Sequence, residues 1–172
     1  MKRLVLFFIV ALLLAIQNVH SQVQGELTEL ATFLEKKGYV AIPIKKLPTG
    51  HLCLIAEVND TTARLILDTG AGATVFEEKE SEKFQLKSSD SDKQATGAGA
   101  GNITMKTTSV RKFKMANYSL DNFEVYLLNL DHVNIAFQQV GIEKVDGVIG
   151  ADILTSGKAI IDYGNLILYL RK

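Results

Sequence analysis

The side chain with the clearest potential for chemistry in this sequence is the carboxylate of Asp68. It directly follows the apolar residues 65–67, which predict a strand covered on both faces. Thr69 adds a hydroxyl, and Gly70 and Gly72 permit backbone conformations or close approaches that a Cβ would block. A carboxylate at the end of a buried strand needs hydrogen bonds or a shared proton to offset its desolvation. The pattern therefore indicates a carboxylate that is hydrogen-bonded or shares a proton, and the alternative is a solvated Asp-Thr-Gly turn between two strands.

A second apolar stretch, VDGVIGADIL, occupies residues 145–154. Taken with LILDTGAGATVF at residues 65–76, it resembles the two motifs of the single-domain, retropepsin-like branch of the aspartic proteases. In that branch the first motif carries the catalytic aspartate, and the second is a hydrophobic-hydrophobic-Gly segment followed by a short helix. The order and spacing of the two stretches match, and the resemblance extends from about Tyr39 to the C-terminus.

This resemblance implies both a fold and a set of site residues. The implied fold class is all-β with a few short helices, namely a retropepsin-like closed β-barrel with one lobe per chain. Asp68 is implied to be catalytic, with support from Thr69 and Gly70, and Ala71 is implied to bind substrate. The resemblance implies no cofactor and no metal.

Aspartic-protease chemistry requires two facing carboxylates, whereas this chain contains one Asp-Thr-Gly. Two charges about 3 Å apart repel by about 5 kcal/mol at an effective dielectric of about 20, so such a pair holds one proton, as aspartic proteases in general do. Asp146-Gly147 is not a second copy, because it lacks the threonine and precedes its apolar strand. Asp152 and Asp162 are expected to cap a helix and a turn. The second carboxylate is therefore expected to be Asp68 of another protomer.

These features predict a homodimeric aspartic endopeptidase, a hydrolase that cleaves a peptide or protein substrate with activated water. Two alternatives remain open at this point. One is a non-catalytic, exported binding module that keeps the retropepsin-like barrel but has lost the pairing of protomers. The other is a processing enzyme with one narrow partner, which would not cleave generic substrates.

The glycine-rich residues 97–101 are the next informative stretch. A phosphate-binding loop is excluded by the prediction, because no strand is expected before it and residues 102–105 continue as β rather than helix. The simplest interpretation is a hairpin tip. In the resemblance this position corresponds to the flap, which closes over substrate and excludes water. The implied substrate-binding residues of the flap are Gly97, Ala98, Gly99 and Gly101.

The elements that must position these residues are short and mostly β. An amphipathic helix is predicted over residues 22–37 and ended by Gly38, followed by an edge strand over 39–44 because of Pro43. The further predicted strands are 52–58, 63–67, 107–115, 118–130, 144–150, 159–162 and 166–170, with a short helix over 151–156. Residues 59–62, 117–119 and 163–165 are predicted turns, and residues 87–96 an exposed loop. Residues 131–140 are ambiguous.

Composition limits the classes of protein that this sequence can represent. The 172 residues have room for one domain, and 47% hydrophobic content is enough to form a core. Nineteen basic residues balance nineteen acidic ones, so there is no positive field to attract nucleic acid. Cys53 is the single cysteine, in an apolar strand, and is expected to be a small buried hydrophobe rather than a nucleophile.

The N-terminal residues have the pattern of an export signal. Lys2 and Arg3 precede an apolar run over residues 4–16, and a polar stretch follows as far as Ser21, in which Val19 and Ser21 suit positions −3 and −1 of a cleavage site. We therefore divide the chain into a signal peptide at 1–21, an N-terminal amphipathic helix at 22–38 and a retropepsin-like domain at 39–172. The predicted localisation is secreted or periplasmic, with no stable membrane span after cleavage.

Overall fold

The computed structural model describes residues 29–88, 92–96 and 102–172. The predicted signal peptide, the first part of the predicted N-terminal helix and the glycine-rich residues 97–101 lie outside this part. The chain divides into two compact units, residues 1–39 and 40–172. In the first unit the helix α1 occupies residues 29–36 of the described part. It is followed by a turn at residues 37–38, in which the predicted terminator Gly38 has a φ of +83° that glycine readily adopts.

The second unit is built from eleven described strands, two α-helices and one 3₁₀ turn. The strands are β1 (Tyr39–Pro43), β2 (Lys45–Lys46), β3 (Leu52–Val58), β4 (Thr61–Leu67), β5 (Val75–Glu77), β6 (Asp92–Thr96), β7 (Asn102–Met115), β8 (Tyr118–Leu128), β9 (Gly147–Ile149), β10 (Ile160–Asp162) and β11 (Ile167–Arg171). The helices are the 3₁₀ turn Glu78–Glu80, α2 (Asp131–Gln139) and α3 (Ala151–Ser156).

Six of these strands close into a barrel in the order β3-β4-β9-β5-β8-β7, and β7 pairs back to β3. The pairs β4–β9 and β5–β8 are parallel, and the remaining pairs of the barrel are antiparallel. The strand β2 extends the sheet beside β3, and β6 extends it beside β7. Strands β1, β11 and β10 form a separate three-stranded sheet, in which β1 is an edge strand as Pro43 predicted.

The alternating pattern of β3 directs Leu52, Leu54, Ala56 and Val58 into the barrel core. The opposite face of β3 contributes Cys53 to a second, outer hydrophobic cluster. The helix α2 and the segment that follows it contribute other residues to this cluster. That outer cluster consists of Leu47, Cys53, Ile66, Phe137, Ile142 and Val145. Strand β4 is therefore covered on both faces near its end, as its unbroken apolar sequence predicted: Leu65, Ile66 and Leu67 are 0%, 5% and 7% exposed.

Several sequence predictions require correction. Residues 92–96 form β6, so the prediction of a loop there, and of no strand before residue 97, is wrong. This polar strand forms because its backbone pairs with β7. The ambiguous residues 131–139 are the helix α2. The turn between β7 and β8 lies at residues 116–117, with Ala116 at φ +50°, rather than at 117–119. Strand β9 is also shorter than the predicted 144–150.

Candidate active site

Two parallel strands bring the motifs at residues 65–76 and 145–154 together. Leu65, Ile66 and Leu67 pair with Gly147, Val148 and Ile149. The amide of Asp68 continues this ladder and donates to the carbonyl of Ile149 at 3.1 Å. The close packing requires a glycine at 147, because a Cβ there would lie 2.4 Å from the carbonyl oxygen of Val75. The carboxylate of Asp68 is thereby placed directly beyond a rigid strand.

Asp68 itself lies at the protein surface. Its Oδ1 accepts a hydrogen bond from the amide of Gly70 at 2.8 Å, and its carbonyl accepts one from the amide of Ala71 at 3.3 Å. Asp68, Thr69 and Gly70 are all exposed in the single chain. The prediction that the carboxylate is carried into a buried place is therefore wrong, because the turn projects it past the last buried residue of β4.

The two glycines of the turn differ in what they do. A Cβ at Gly70 would lie 3.2 Å from Oδ1 of Asp68, closer than most Cβ contacts, so glycine there allows the hydrogen bond to the carboxylate. A Cβ at Gly72 would meet no atom within 4 Å. Neither residue has a left-handed φ. The predicted need for glycine is therefore supported at 70, and the structure gives no steric reason for glycine at 72.

Thr74 and Asp152 join the Asp68 turn to the helix α3. The amide and hydroxyl of Thr74 donate to the two carboxylate oxygens of Asp152 at 2.8 and 2.7 Å, and Oγ1 of Thr74 accepts from the amide of Gly150 at 3.1 Å. Asp152 also accepts from the amide of Ile153 at 2.8 Å. The prediction that Asp152 caps a helix is therefore wrong, because the N-cap of α3 is Gly150 and the carboxylate of Asp152 instead binds Thr74. Thr74 was missed by the sequence analysis, although it is the one side chain of residues 71–76 that can form hydrogen bonds.

Gly150 allows the second motif to lie against the first. A Cβ at this position would lie 2.5 Å from the backbone carbonyl of Ala73 and 2.9 Å from the carbonyl oxygen of Ala71. The next residue, Ala151, donates its amide to that same Ala71 oxygen at 2.7 Å. The half-buried Ala71 therefore anchors the turn through its backbone, and its predicted contact with substrate is not tested.

A cleft of about 430 Å³ opens beside Thr69. Thr69 lines this cleft, and its hydroxyl makes no hydrogen bond within the described residues. The remaining lining comes from α3 and the start of β10, namely Ala151, Leu154, Thr155, Lys158, Ala159 and Ile161. The predicted flap residues Gly97, Ala98, Gly99 and Gly101 lie outside the described residues, but the pairing of Thr96 with Asn102 places the ends of that segment on adjacent strands.

The other residues considered from the sequence have structural partners. Asp146 accepts from the amide of Arg64 at 2.7 Å and from Nζ of Lys83 at 2.6 Å. Asp162 accepts from the amide of Asn165 at 2.9 Å, which confirms that it caps a turn, and the hydrogen bonds from Asn165 lower the pKa of Asp162.

Cys53 is buried, and burial raises the pKa of its thiol, as expected for a small hydrophobe. The nearby His51 instead shares a hydrogen bond with the hydroxyl of Thr49 at 2.9 Å. Among the described residues, no three side chains of His, Cys, Asp or Glu cluster as metal ligands. No helix in the same part of the chain combines the length and apolar character needed to cross a bilayer.

Comparison with known proteins identifies the class. The family model for aspartyl proteases matches residues 54–153, which is more than half of the chain, and this protein belongs to that family. Among solved structures, it is similar to a retropepsin-like aspartic protease from Rickettsia conorii, with a TM-score of 0.52 and 17% sequence identity. That match covers 77% of this chain and 89% of the other.

A second similar structure is the EIAV protease complexed with the inhibitor HBY-793, with a TM-score of 0.44 and 21% identity over 64% of this chain and 90% of the other. A search of curated protein sequences gives no match. The family and the retropepsin-like, β-rich barrel predicted from the sequence are thus confirmed. The roles of Asp68, Thr69 and Gly70 remain predictions.

Proposed function

We propose that this protein is an aspartic endopeptidase whose active site is completed when two protomers each contribute Asp68. The observation that carries the proposal is the state of Asp68 in the single chain. It is an exposed carboxylate with one hydrogen bond from a neighbouring amide, at the end of a rigid strand of an aspartyl-protease fold. Such a group is positioned by the protein yet available to a substrate or to a second carboxylate.

The chemistry follows from bringing two such carboxylates together. Their mutual repulsion leaves one proton for the pair, so one carboxyl group accepts a proton from water while the other donates to the oxygen of the peptide carbonyl. Water thereby becomes the nucleophile without a histidine or metal. Gly70 holds one oxygen of Asp68 through its amide, which leaves the other oxygen free for the reaction.

The surface around Asp68 supports the pairing of protomers. The exposed Thr69, whose hydroxyl has no partner within the described residues, lines the cleft that α3 and β10 complete. Leu154, Ala159 and Ile161 give this cleft an apolar lining. These apolar residues and the unpaired hydroxyl of Thr69 favour a two-fold contact in which each Thr69 finds its partner across the interface.

Substrate contact and export complete the proposal. We assign the flap to residues 97–101, carried by the β6–β7 hairpin, with Gly97, Ala98, Gly99 and Gly101 approaching a peptide from one side and Ala71 from the other. We assign export to residues 1–21, with cleavage after Ser21 and a secreted or periplasmic mature protein. N-terminal sequencing of protein exported from an expressing cell tests the cleavage site directly.

The experiment that tests the function is cleavage of a peptide library between pH 3 and pH 8. The wild-type protein should cleave a subset of peptides, and Asp68→Asn should cleave none of them. Equal cleavage by the two proteins would contradict the proposal. Sedimentation at micromolar concentration accompanies the assay, because a strictly monomeric, inactive protein would favour the alternative of a non-catalytic binding module.

A further inference from the structure

A second cleft, away from the Asp68 turn, lies on the outer face of β2, β3 and β4. Its volume is about 330 Å³, within the range of sites that hold small ligands. The strand register explains its walls. Lys45 pairs with Cys53 and Ile55 pairs with Arg64, and alternation along β3 places Cys53 and Ile55 on one face. These four side chains therefore form one continuous outer surface.

The lining of this cleft is mainly apolar and includes one conspicuous exposed group. Ile55 is 56% exposed, although its neighbours along β3 are buried. Pro43 and Ala116 extend the apolar wall from β1 and from the turn between β7 and β8. The buried thiol of Cys53 also lines the cleft. Such a surface favours an aliphatic group, because covering Ile55 removes apolar area from water.

The charges at this cleft are both positive. Arg64 pairs with the exposed Glu143, whereas Lys45 makes no ion pair within the described residues. The strands β2 and β4 flank β3, and the register offsets Arg64 from Lys45 by two residues, so their backbones lie about 12 Å apart, which two long side chains can span. An apolar wall lined by two cationic residues complements an apolar anion.

We propose that this cleft binds a medium-chain aliphatic carboxylate, with its chain over Ile55 and Cys53 and its carboxylate on Lys45 and Arg64. Lys45 is the principal anchor because it has no competing acidic partner among the described residues. The site does not include Asp68, so binding is independent of the proposed peptidase activity.

Cys53 offers a local readout, because it is the only cysteine of the chain. Alkylation of the full-length protein with a maleimide therefore modifies this position alone, at a rate set by local opening around the buried thiol, and the lysine variants below distinguish binding at the cleft from stabilisation by decanoate bound elsewhere. Decanoate below its micellar concentration is the probe, with decanol, decyltrimethylammonium and acetate as comparisons. We expect decanoate to slow alkylation several-fold and to do so at lower concentration than decanol, because a partly exposed ion pair favours it by a factor of up to about five. The cationic probe and acetate should have little effect.

The matched variants are Lys45→Gln and Lys46→Gln. Both remove one positive charge from the same exposed strand, but Lys46 pairs with Leu52 and lies on the opposite face from Cys53. Lys45→Gln should weaken protection by decanoate by up to about fivefold, whereas Lys46→Gln and Asp68→Asn should leave it unchanged. Absence of protection, equal protection by decanoate and the cationic probe, or equal weakening in the two lysine variants would overturn the proposal.

Discussion

The aspartates at the two ends of the parallel strand pair β4–β9 differ in their hydrogen bonding and in their exposure. At the end where β9 begins, Asp146 is bound by the amide of Arg64 and the ammonium of Lys83, and its side chain is 16% exposed. At the other end, Asp68 is exposed and has one hydrogen bond from Gly70. A carboxylate saturated by donors stabilises the fold, whereas one that is held but left open is available for chemistry.

Asp152 sharpens this comparison because it lies close to Asp68 in the fold yet resembles Asp146 in its bonding. Three donors, two from Thr74 and one from Ile153, bind its carboxylate. At the end of β4–β9 that carries Asp68, hydrogen bonds therefore hold the surrounding residues in place, while Asp68 itself is exposed. We expect Asp68 to be replaceable without loss of folding, whereas the residues that surround it should not be.

The largest expected effect is that of Asp68→Asn on peptide cleavage. Asparagine retains an acceptor for the amide of Gly70, so the free energy of unfolding should change by less than about 0.5 kcal/mol. The rate should fall by at least about 100-fold, because asparagine cannot accept the proton from water. Steady-state cleavage and urea unfolding measure the two quantities.

Asp60→Asn is the matched control for that substitution, since Asp60 is an exposed aspartate in the β3–β4 turn at φ +66°, which asparagine tolerates. Its activity should equal that of the wild type. A comparable loss of activity in both variants would contradict a specific role of Asp68 in peptide cleavage.

The next largest effect is expected from Gly150→Ala. The new Cβ would overlap the carbonyl of Ala73 at 2.5 Å, and backbone atoms cannot move aside cheaply. We expect a loss of about 3 kcal/mol in the free energy of unfolding together with a loss of activity. Gly72→Ala, where the Cβ meets no atom within 4 Å, should cost less than about 1 kcal/mol. Equal costs for the two substitutions would contradict the described packing of the two motifs.

A smaller effect is expected from Thr74→Val. The substitution keeps the shape of a buried side chain but leaves the amide of Gly150 and one oxygen of Asp152 without their partner. The free energy of unfolding should fall by about 1–3 kcal/mol. Thr62→Val, at an exposed position of β4, should change it by less than about 0.5 kcal/mol. Thermal or urea unfolding of the two variants measures how much the hydrogen bonds of Thr74 contribute to the free energy of unfolding.

The smallest effect concerns acid stability far from the site. Lys79 donates to Asp131, which lowers the pKa of Asp131 below its ordinary value of 3.8. The ionised carboxylate therefore stabilises the fold above that value, and this contribution disappears as the pH falls through the lower pKa of the folded state. Lys79→Gln should be slightly less stable than wild type above about pH 4, and the difference should shrink below that pH and vanish once the pH is below the lowered pKa of Asp131. Lys87→Gln, an exposed lysine without an ion pair in the described residues, should follow the wild type throughout.

The sequence was sufficient for the elements whose residues are uniformly apolar or regularly alternating. Leu65 to Leu67 could be recognised as a doubly covered strand because no polar side chain interrupts it. The helix α2 was ambiguous because its buried face includes Asn134, whose side chain exchanges two hydrogen bonds with the backbone of Val145. That polar residue breaks the apolar periodicity on which the prediction depends.

The parts that the sequence did not predict depend on contacts between distant residues. The polar strand β6 exists through backbone pairing with β7, which its own side chains do not indicate. Thr74 and Asp152 are 78 residues apart in sequence, so their hydrogen bonds become visible only when β4 and β9 lie side by side. The exposure of Asp68 likewise follows from how far the turn projects beyond the barrel.

The most direct measurement of the central claim is the activity of mixed protomers. Wild-type protein and Asp68→Asn are combined in equal amounts at constant total protomer concentration and allowed to exchange partners. If each active site needs Asp68 from both chains, random pairing leaves about one quarter of the dimers active, so activity should fall to about one quarter of that of wild type alone. A fall to one half would mean that each protomer works independently, and the shared pair of carboxylates would be ruled out.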